Sequence, residues 1–232
     1  MLTISNTYLY SLWTKKQEQF IASLQLQPLV VLLRPKRKDL EEPYFRKTFF
    51  SLVEQLNFIG VKHIEVAWSS EAEWISLMKE LKTSFTSISL GAASVTNNIA
   101  LKIVSEIKLD YAMSPIWSPE LQIQAINTKQ LLIPGVFSPT EIQQAKSFGC
   151  RLLKLFPAST LGIDYLNQLR EPIGKLPFII AAGGLTINDI NIWLKAGHGA
   201  ITLGKKLLID NQINPQLQSW IEKHAQSANG FI

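Results

Sequence analysis

A lysine sits in the middle of an apolar run, Cys150-Arg151-Leu152-Leu153-Lys154-Leu155-Phe156-Pro157-Ala158. A run of this kind reads as a strand buried on both faces. A charged amine there is costly unless it is paired, neutralised or used. Alternation puts Leu153 and Leu155 on one face and Leu152, Lys154 and Phe156 on the other. Desolvation favours the neutral amine, the form that attacks carbonyl carbons. A lysine near a strand end can also snorkel to water with no chemical role, and this segment alone leaves both readings open.

A carboxylate holds a comparable place in Val61-Lys62-His63-Ile64-Glu65-Val66-Ala67-Trp68. Ile64, Val66 and Trp68 share the face that packs on helices, which leaves His63, Glu65 and Ala67 pointing inward. An inward carboxylate can be a partner to such an amine, structural or catalytic. A buried ion pair serving stability alone would look the same, but such pairs stabilise weakly, which favours the catalytic reading. His63, deeper on the same face, reads as a satisfied core histidine. Near the end of the chain, Phe178-Ile179-Ile180-Ala181-Ala182-Gly183-Gly184-Leu185-Thr186 is a strand, a glycine turn and a helix start. Ala200-Ile201-Thr202-Leu203-Gly204-Lys205-Lys206 is the next strand and its loop. Exposed backbone N–H groups and a helix N-terminus bind phosphate, and Lys205 and Lys206 add positive charge. Gly183-Gly184 by itself is also an ordinary tight turn.

The elements that must position these groups alternate. Short apolar runs recur at Leu29–Arg34, His63–Trp68, Ser87–Gly91, Tyr111–Ser114, Gln130–Pro134, Leu152–Phe156, Pro177–Ala181 and Ala200–Gly204. Between them lie helix signals. Ser118-Pro119-Glu120 offers an N-cap with proline at the first helical position, and Ser138-Pro139-Thr140-Glu141 adds a capping-box acid. Thr186-Ile187-Asn188-Asp189 repeats the pattern, and Gly197 can end that helix in the left-handed conformation. Glu73 to Leu81 carries apolar residues at helical spacing. Strand then helix, repeated, implies a parallel sheet covered by helices. Eight such strands fit an α/β compact (β/α)8 TIM barrel better than a doubly wound sheet, which stays open as the alternative. Ser11–Leu24 is expected to be an N-terminal helix on the barrel floor and Pro215–Ala228 the last helix. No linker divides residues 1–232, so a single barrel domain is expected. In such a barrel the second and sixth strands stand on opposite walls, so Glu65 and Lys154 can face each other across the mouth. The loops after the seventh and eighth strands are its usual phosphate site.

Composition excludes several classes of function. The 232 residues are 47% hydrophobic and 18% charged, which is globular rather than disordered. No apolar run reaches the length of a membrane span, and Met1 to Ser11 lack the features of a secretory signal, so a cytoplasmic location is expected. One cysteine, Cys150, gives no internal disulfide and no metal spacing, and His63, His198 and His224 form no motif. A net charge of +5 suits small anions and gives no case for nucleic acid or a membrane surface as partner.

Six segments together resemble a known family. Ile64-Glu65-Val66, Gly91-Ala92-Ala93-Ser94-Val95, Ala112-Met113-Ser114-Pro115, Ile133-Pro134-Gly135-Val136, Leu153-Lys154-Leu155-Phe156-Pro157-Ala158 and Ala182-Gly183-Gly184-Leu185 occur in the order expected of 2-keto-3-deoxy-6-phosphogluconate (KDPG) and 4-hydroxy-2-oxoglutarate aldolases. The similarity runs from about Leu29 to Leu208. The resemblance implies a (β/α)8 barrel, a homotrimer, and a class I lyase that needs no metal or other cofactor. It further implies Lys154 as the Schiff-base lysine and Glu65 as the acid/base. The keto acid and its phosphate would meet Ser94, Phe156, Gly183, Gly184, Gly204 and the neighbouring lysines.

Several positions depart from the family pattern. Four residues after the glutamate the family usually carries an arginine that grips the keto-acid carboxylate, and here that residue is Ser69. A strong bidentate contact is thereby lost. Ala93-Ser94 stands for the usual Gly-Thr, Ile116-Trp117 follows Ser114-Pro115 in place of glycine, and Lys205-Lys206 replaces a glycine and a small hydroxyl residue. Arg34, at the end of the first strand, matches a common family arginine and is the candidate to take over the carboxylate, with Lys206 a second cation. The run Arg34-Pro35-Lys36-Arg37-Lys38 reads as a solvated face. Three functions follow: an aldolase cleaving KDPG, 4-hydroxy-2-oxoglutarate or another 2-keto-3-deoxy acid; a phosphate-binding barrel enzyme without Schiff-base chemistry; and a barrel that only binds an anionic metabolite or a partner.

Overall fold

The structure is a computed structural model that describes residues 7–204, 207–209 and 212–229. Its main sheet holds β1 (Leu29–Leu33), β2 (His63–Ala67), β3 (Ser89–Ala93), β4 (Tyr111–Met113), β5 (Leu132–Ile133), β6 (Gly135–Val136), β7 (Leu152–Leu155), β8 (Phe178–Ala182) and β9 (Ala200–Leu203). They pair in the order β5-β4-β3-β2-β1-β9-β8-β7-β6, every pair parallel. The two ends of that order, β5 and β6, are halves of one segment broken at Pro134, so the chain itself joins the sheet's edges. Proline has no N–H to give the ladder. Its carbonyl still accepts from the Lys154 N–H at 2.9 Å, and the Ile133 carbonyl accepts from the Ser114 N–H at 3.0 Å. The result is a nearly closed barrel of eight staves. Lys154 therefore lies on the sixth stave although it is carried by β7.

Two strand boundaries differ from the sequence expectation. The fifth strand, expected at Gln130–Pro134, is two short pieces around Pro134, because the missing N–H interrupts pairing there. The third runs from Ser89 to Ala93 rather than from Ser87 to Gly91. Its pairing begins where the Ser89 N–H reaches the Lys62 carbonyl, and its C-terminal Ala92-Ala93 has little strand signal of its own.

The helices are α1 (Thr7–Leu26), α2 (Arg37–Glu41), α3 (Pro43–Phe58), α4 (Ala72–Ser84), α5 (Asn98–Glu106), α6 (Pro119–Asn127), α7 (Pro139–Phe148), α8 (Ala158–Leu161), α9 (Tyr165–Ile173), α10 (Ile190–Lys195) and α11 (Pro215–Asn229). Their starts follow the local chemistry read from the sequence. The Ser118 hydroxyl accepts the Leu121 N–H, and Ser138 and Glu141 form a reciprocal capping box. Thr186 and Asp189 cap a single 3-10 turn (Ile187–Asp189) that leads into α10, and Gly197 beyond that helix has φ 95°. The basic run after β1 is partly helical, as α2, with Lys36, Arg37 and Lys38 exposed as expected.

Outward strand residues such as Ile64, Val66, Leu153 and Leu155 pack with Trp74, Leu77 and Leu169 of the helix layer. Inward residues Val30, Tyr111, Met113, Leu152, Ile180 and Ala200 form a separate interior cluster, closed from below by Phe20 and Leu24 of α1. Burial of these apolar side chains, each worth roughly 1.5–3 kcal/mol, holds α1 against the barrel. Glutamines anchor the floor. The Gln17 side-chain oxygen accepts the Arg151 N–H (2.8 Å), and Gln27 accepts from the Lys62 N–H (2.7 Å) while donating to the Gly60 carbonyl (2.9 Å). The alternation read from sequence thus places Glu65 and Lys154 inside.

Candidate active site

Lys154 and Glu65 meet inside the barrel, with Nζ 3.9 Å from Oε1 and side chains 5% and 0% exposed. At this separation the groups attract without forming a tight hydrogen bond, and neither Glu65 oxygen has a hydrogen-bond partner among the described residues. Burial pushes the Glu65 carboxyl above the usual carboxylate range, opposed by the positive charges of Lys154 and Arg34. A carboxyl so placed keeps its proton to higher pH than a free one, which suits a group that gives and takes a proton. Lys154 Nζ also stands 5.4 Å from the centre of the Phe156 ring, which forms an apolar wall beside it.

His63 has the structural role expected of it. Its ring accepts no solvent: Nε2 lies 2.7 Å from the Ser23 hydroxyl and Nδ1 lies 3.2 Å from the Leu29 carbonyl. The carbonyl can only accept, so Nδ1 carries the hydrogen and Nε2 receives that of Ser23. Burial lowers its pKa from 6.5 to about 4, and the ring packs edge-on against Phe20 5.5 Å away. This neutral histidine belongs to the floor.

Several residues expected to bind substrate follow the C-terminal ends of strands. Arg34 is exposed just beyond β1, and Ser94 is half-buried just beyond β3 with φ 61°, a left-handed conformation unusual for a residue with a side chain. Such local strain is frequent at functional positions. Gly183 and Gly184 follow β8 with φ 97° and 82°. A side chain on Gly183 would come within 3.0 Å of the Phe156 ring, and one on Gly184 would press on Ser159. The Ser159 N–H donates to the Gly183 carbonyl at 3.1 Å. The turn is therefore packed directly against the Phe156–Ser159 segment that follows Lys154. Gly204 ends β9 in an exposed position, and Lys205 and Lys206 lie outside the described residues.

Ser69, standing where the family arginine was expected, is committed to the turn before α4: its hydroxyl accepts the Glu71 N–H at 3.2 Å. Ser114 does the same for Ile116 (3.2 Å). Ile116 itself is 48% exposed, a bulky apolar residue at the rim. Gly135 lets this rim close, because any side chain there would collide with the Ser114 and Pro115 backbone.

Two polar residues of the interior escaped the sequence reading. Tyr111 Oη and Thr202 Oγ1 are both buried and, like the Glu65 carboxylate, have no hydrogen-bond partner. Alternation within Ala200-Ile201-Thr202-Leu203 could have placed Thr202 inward, since Ile201 and Leu203 belong to the outer cluster. Tyr111 begins a strand of three residues buried throughout, where a tyrosine gives no sign of its facing. Among the described residues, no three His, Cys, Asp or Glu side chains gather to hold a metal ion.

Comparisons with known proteins give the chain its family. A family profile described as KDPG and KHG aldolase matches residues 45–223, most of the chain, and the chain belongs to that family. Its relatives include the 2-dehydro-3-deoxy-6-phosphogalactonate aldolase of Escherichia coli, 25% identical over 143 residues that cover 62% of this chain and 66% of that protein. A probable enzyme of the same name from Rhizobium meliloti is 25% identical over 181 residues, 78% of this chain and 82% of the relative. Among solved structures, the fold is shared with the KDPG aldolase of Legionella pneumophila, captured with pyruvate as a covalent carbinolamine intermediate, at TM-score 0.67 and 21% identity over 90% of this chain and 97% of that one. The protein is thus an aldolase-family lyase barrel. Among the described residues no helix is long and apolar enough to cross a membrane.

Proposed function

We propose that this chain is a class I aldolase that cleaves a 2-keto-3-deoxy acid phosphate such as KDPG to pyruvate and glyceraldehyde 3-phosphate through a Schiff base on Lys154. The observation that carries this reading is the isolated pair of Lys154 Nζ and Glu65 Oε1, 3.9 Å apart in the barrel interior. A structural ion pair would be expected to satisfy its carboxylate with further hydrogen bonds, whereas both Glu65 oxygens are left for another partner.

In the proposed reaction the neutral Lys154 amine adds to the C2 carbonyl, and the carbinolamine loses water to leave an iminium. Glu65 donates the proton that lets the hydroxyl depart. The carboxylate then takes the proton of the C4 hydroxyl as the C3–C4 bond breaks, its electron pair moving into the iminium to give an enamine and the free aldehyde. Protonation at C3 and hydrolysis return pyruvate and the amine. Arg34 holds the keto-acid carboxylate in place of an arginine at Ser69, and Phe156 and Ser94 orient the reacting carbons. Gly183, Gly184 and Gly204, with Lys205 and Lys206, receive the phosphate. The family resemblance further supports a homotrimer acting on a small anionic substrate.

The test is pyruvate release, followed with lactate dehydrogenase, from KDPG, its 6-phosphogalactonate epimer and 4-hydroxy-2-oxoglutarate. Cleavage of one or more by the natural chain and none by Lys154→Met is expected. Cleavage that survives in Lys154→Met would exclude the Schiff base, and release of no pyruvate from any of the three would exclude the aldolase assignment.

A further inference from the structure

The interior holds two polar groups, Tyr111 and Thr202, that the reaction above does not use. Glu65 on β2 pairs in register with Gly91 on β3, and Gly91 with Tyr111 on β4. Gly91 has no side chain, and the tyrosine ring fills that space: a Cβ on Gly91 would fall 2.5 Å from Tyr111 Cζ, the carbon that bears the hydroxyl. The hydroxyl end of Tyr111 is thus carried across β3 toward Glu65. Phe20 presses on the ring from below, with centroids 4.5 Å apart. The hydroxyl, fully buried, has no hydrogen-bond partner, and the same holds for both Glu65 oxygens. Leaving a buried donor and a buried carboxylate unsatisfied as near neighbours carries a double desolvation cost. Phenylalanine would fill the same space without that cost.

We infer that Tyr111 is a positioning residue for the acid/base carboxylate: its hydroxyl, carried over Gly91, donates to Glu65 through one bridging water and holds the carboxylate turned toward Lys154. This rests on the aldolase reading for its part in turnover. A water there has three polar partners, Glu65 Oε1, Glu65 Oε2 and Tyr111 Oη, enough to hold it. The charged and titratable groups around the carboxyl are Lys154 from β7, Arg34 beyond β1, Tyr111 from β4 and, two residues earlier on β2, the neutral His63. The phenol keeps its proton at any working pH, because burial, Glu65 and Asp110 all raise its pKa. Toward an ionised carboxylate, which has no hydrogen to give, it therefore acts as the donor. Donation favours the ionised carboxylate, so removing the hydroxyl must make Glu65 harder to ionise.

The test compares the natural chain with Tyr111→Phe, which keeps the ring and its packing and removes only the hydroxyl. The carboxyl carbon of Glu65, labelled with carbon-13 and assigned by its absence in Glu65→Gln, is titrated by NMR in both proteins. Tyr111→Phe is expected to raise the midpoint by about one pH unit, the scale of one hydrogen bond to a charged group. An unchanged or lowered midpoint overturns the inference. In the cleavage assay, kcat should fall about tenfold with KM within a factor of two, and the acidic limb of the kcat profile should move with the NMR midpoint. A raised KM with unchanged kcat would also contradict it. A natural chain that cleaves none of the keto acids ends the aldolase reading, and the NMR titration still decides whether Tyr111 governs Glu65.

Discussion

Lys154 Nζ and Glu65 Oε1 stand 3.9 Å apart across the barrel interior, carried by β7 and β2 on opposite walls. Both side chains are buried, and among the described residues no protein group hydrogen-bonds the carboxylate. The positive charge of Lys154 opposes the rise that burial gives the Glu65 pKa, and the separation is too long for a tight hydrogen bond.

That arrangement predicts a pH-dependent stability. Burial raises the Glu65 pKa in the folded state, so the native protein holds more protons than the unfolded chain just above the ordinary carboxylate value of 4.5. Stability contributed by the protonated carboxyl is present at and below that pH and is lost as pH rises through the raised folded value. Glu65→Gln should flatten this part of the curve. Urea unfolding at several pH values checks it: equal pH slopes in the two proteins would contradict the raised pKa.

His63 gives the opposite sign. Its folded value of about 4 lies below the ordinary 6.5, so the unfolded chain takes up the proton first and stability falls as pH drops from 6.5 toward 4. At about 1.36 kcal/mol per pH unit the loss approaches roughly 3 kcal/mol. In His63→Gln that loss should disappear, and denaturant midpoints at pH 7 and pH 4.5 measure it. A natural chain whose midpoint is the same at both values would place the ring in contact with water.

The carboxylate contact is open to a kinetic test. Because the Ser69 hydroxyl is held by the Glu71 N–H, binding of the keto acid should depend on Arg34. Arg34→Ala is expected to raise KM about tenfold or more with kcat changed little, the pattern of lost ground-state binding. Adding Ser69→Arg should recover part of the loss. An unchanged KM in Arg34→Ala would assign the carboxylate to another group.

The glycine turn makes a structural prediction. Gly184→Ala meets both a left-handed backbone at φ 82° and the Ser159 side chain, and should cost about 1–3 kcal/mol. Ser159→Gly in the same protein should restore the part due to collision but not the part due to φ. Thermal unfolding of the single and double variants separates the two.

The sequence made the barrel legible because its strands are buried on both faces and its helix starts are signed by Ser118, Ser138 and Thr186. Facing was legible wherever a polar residue broke an apolar run, which is how alternation placed Glu65 and Lys154 inside. It failed for Tyr111, whose strand is apolar in both directions and whose hydroxyl gains meaning only through the space left by Gly91 on the neighbouring strand. Such a relationship between strands is invisible to periodicity along one of them. The strand split at Pro134 was obscured for a similar reason: the proline's carbonyl serves one edge of the sheet while its missing N–H interrupts the same stave. Ser69 reads as a departure from the family pattern, but its bond to the Glu71 N–H depends on the turn before α4 and is not legible in residue type.

The Schiff base on Lys154 is tested most directly by trapping. The protein is incubated with pyruvate, reduced with borohydride and digested, and the modified peptide is located by mass. A reduced pyruvate adduct on Lys154 is the predicted result, absent from Lys154→Met and formed more slowly in Glu65→Gln. An unmodified Lys154, or an adduct on another lysine that persists in Lys154→Met, would contradict the account.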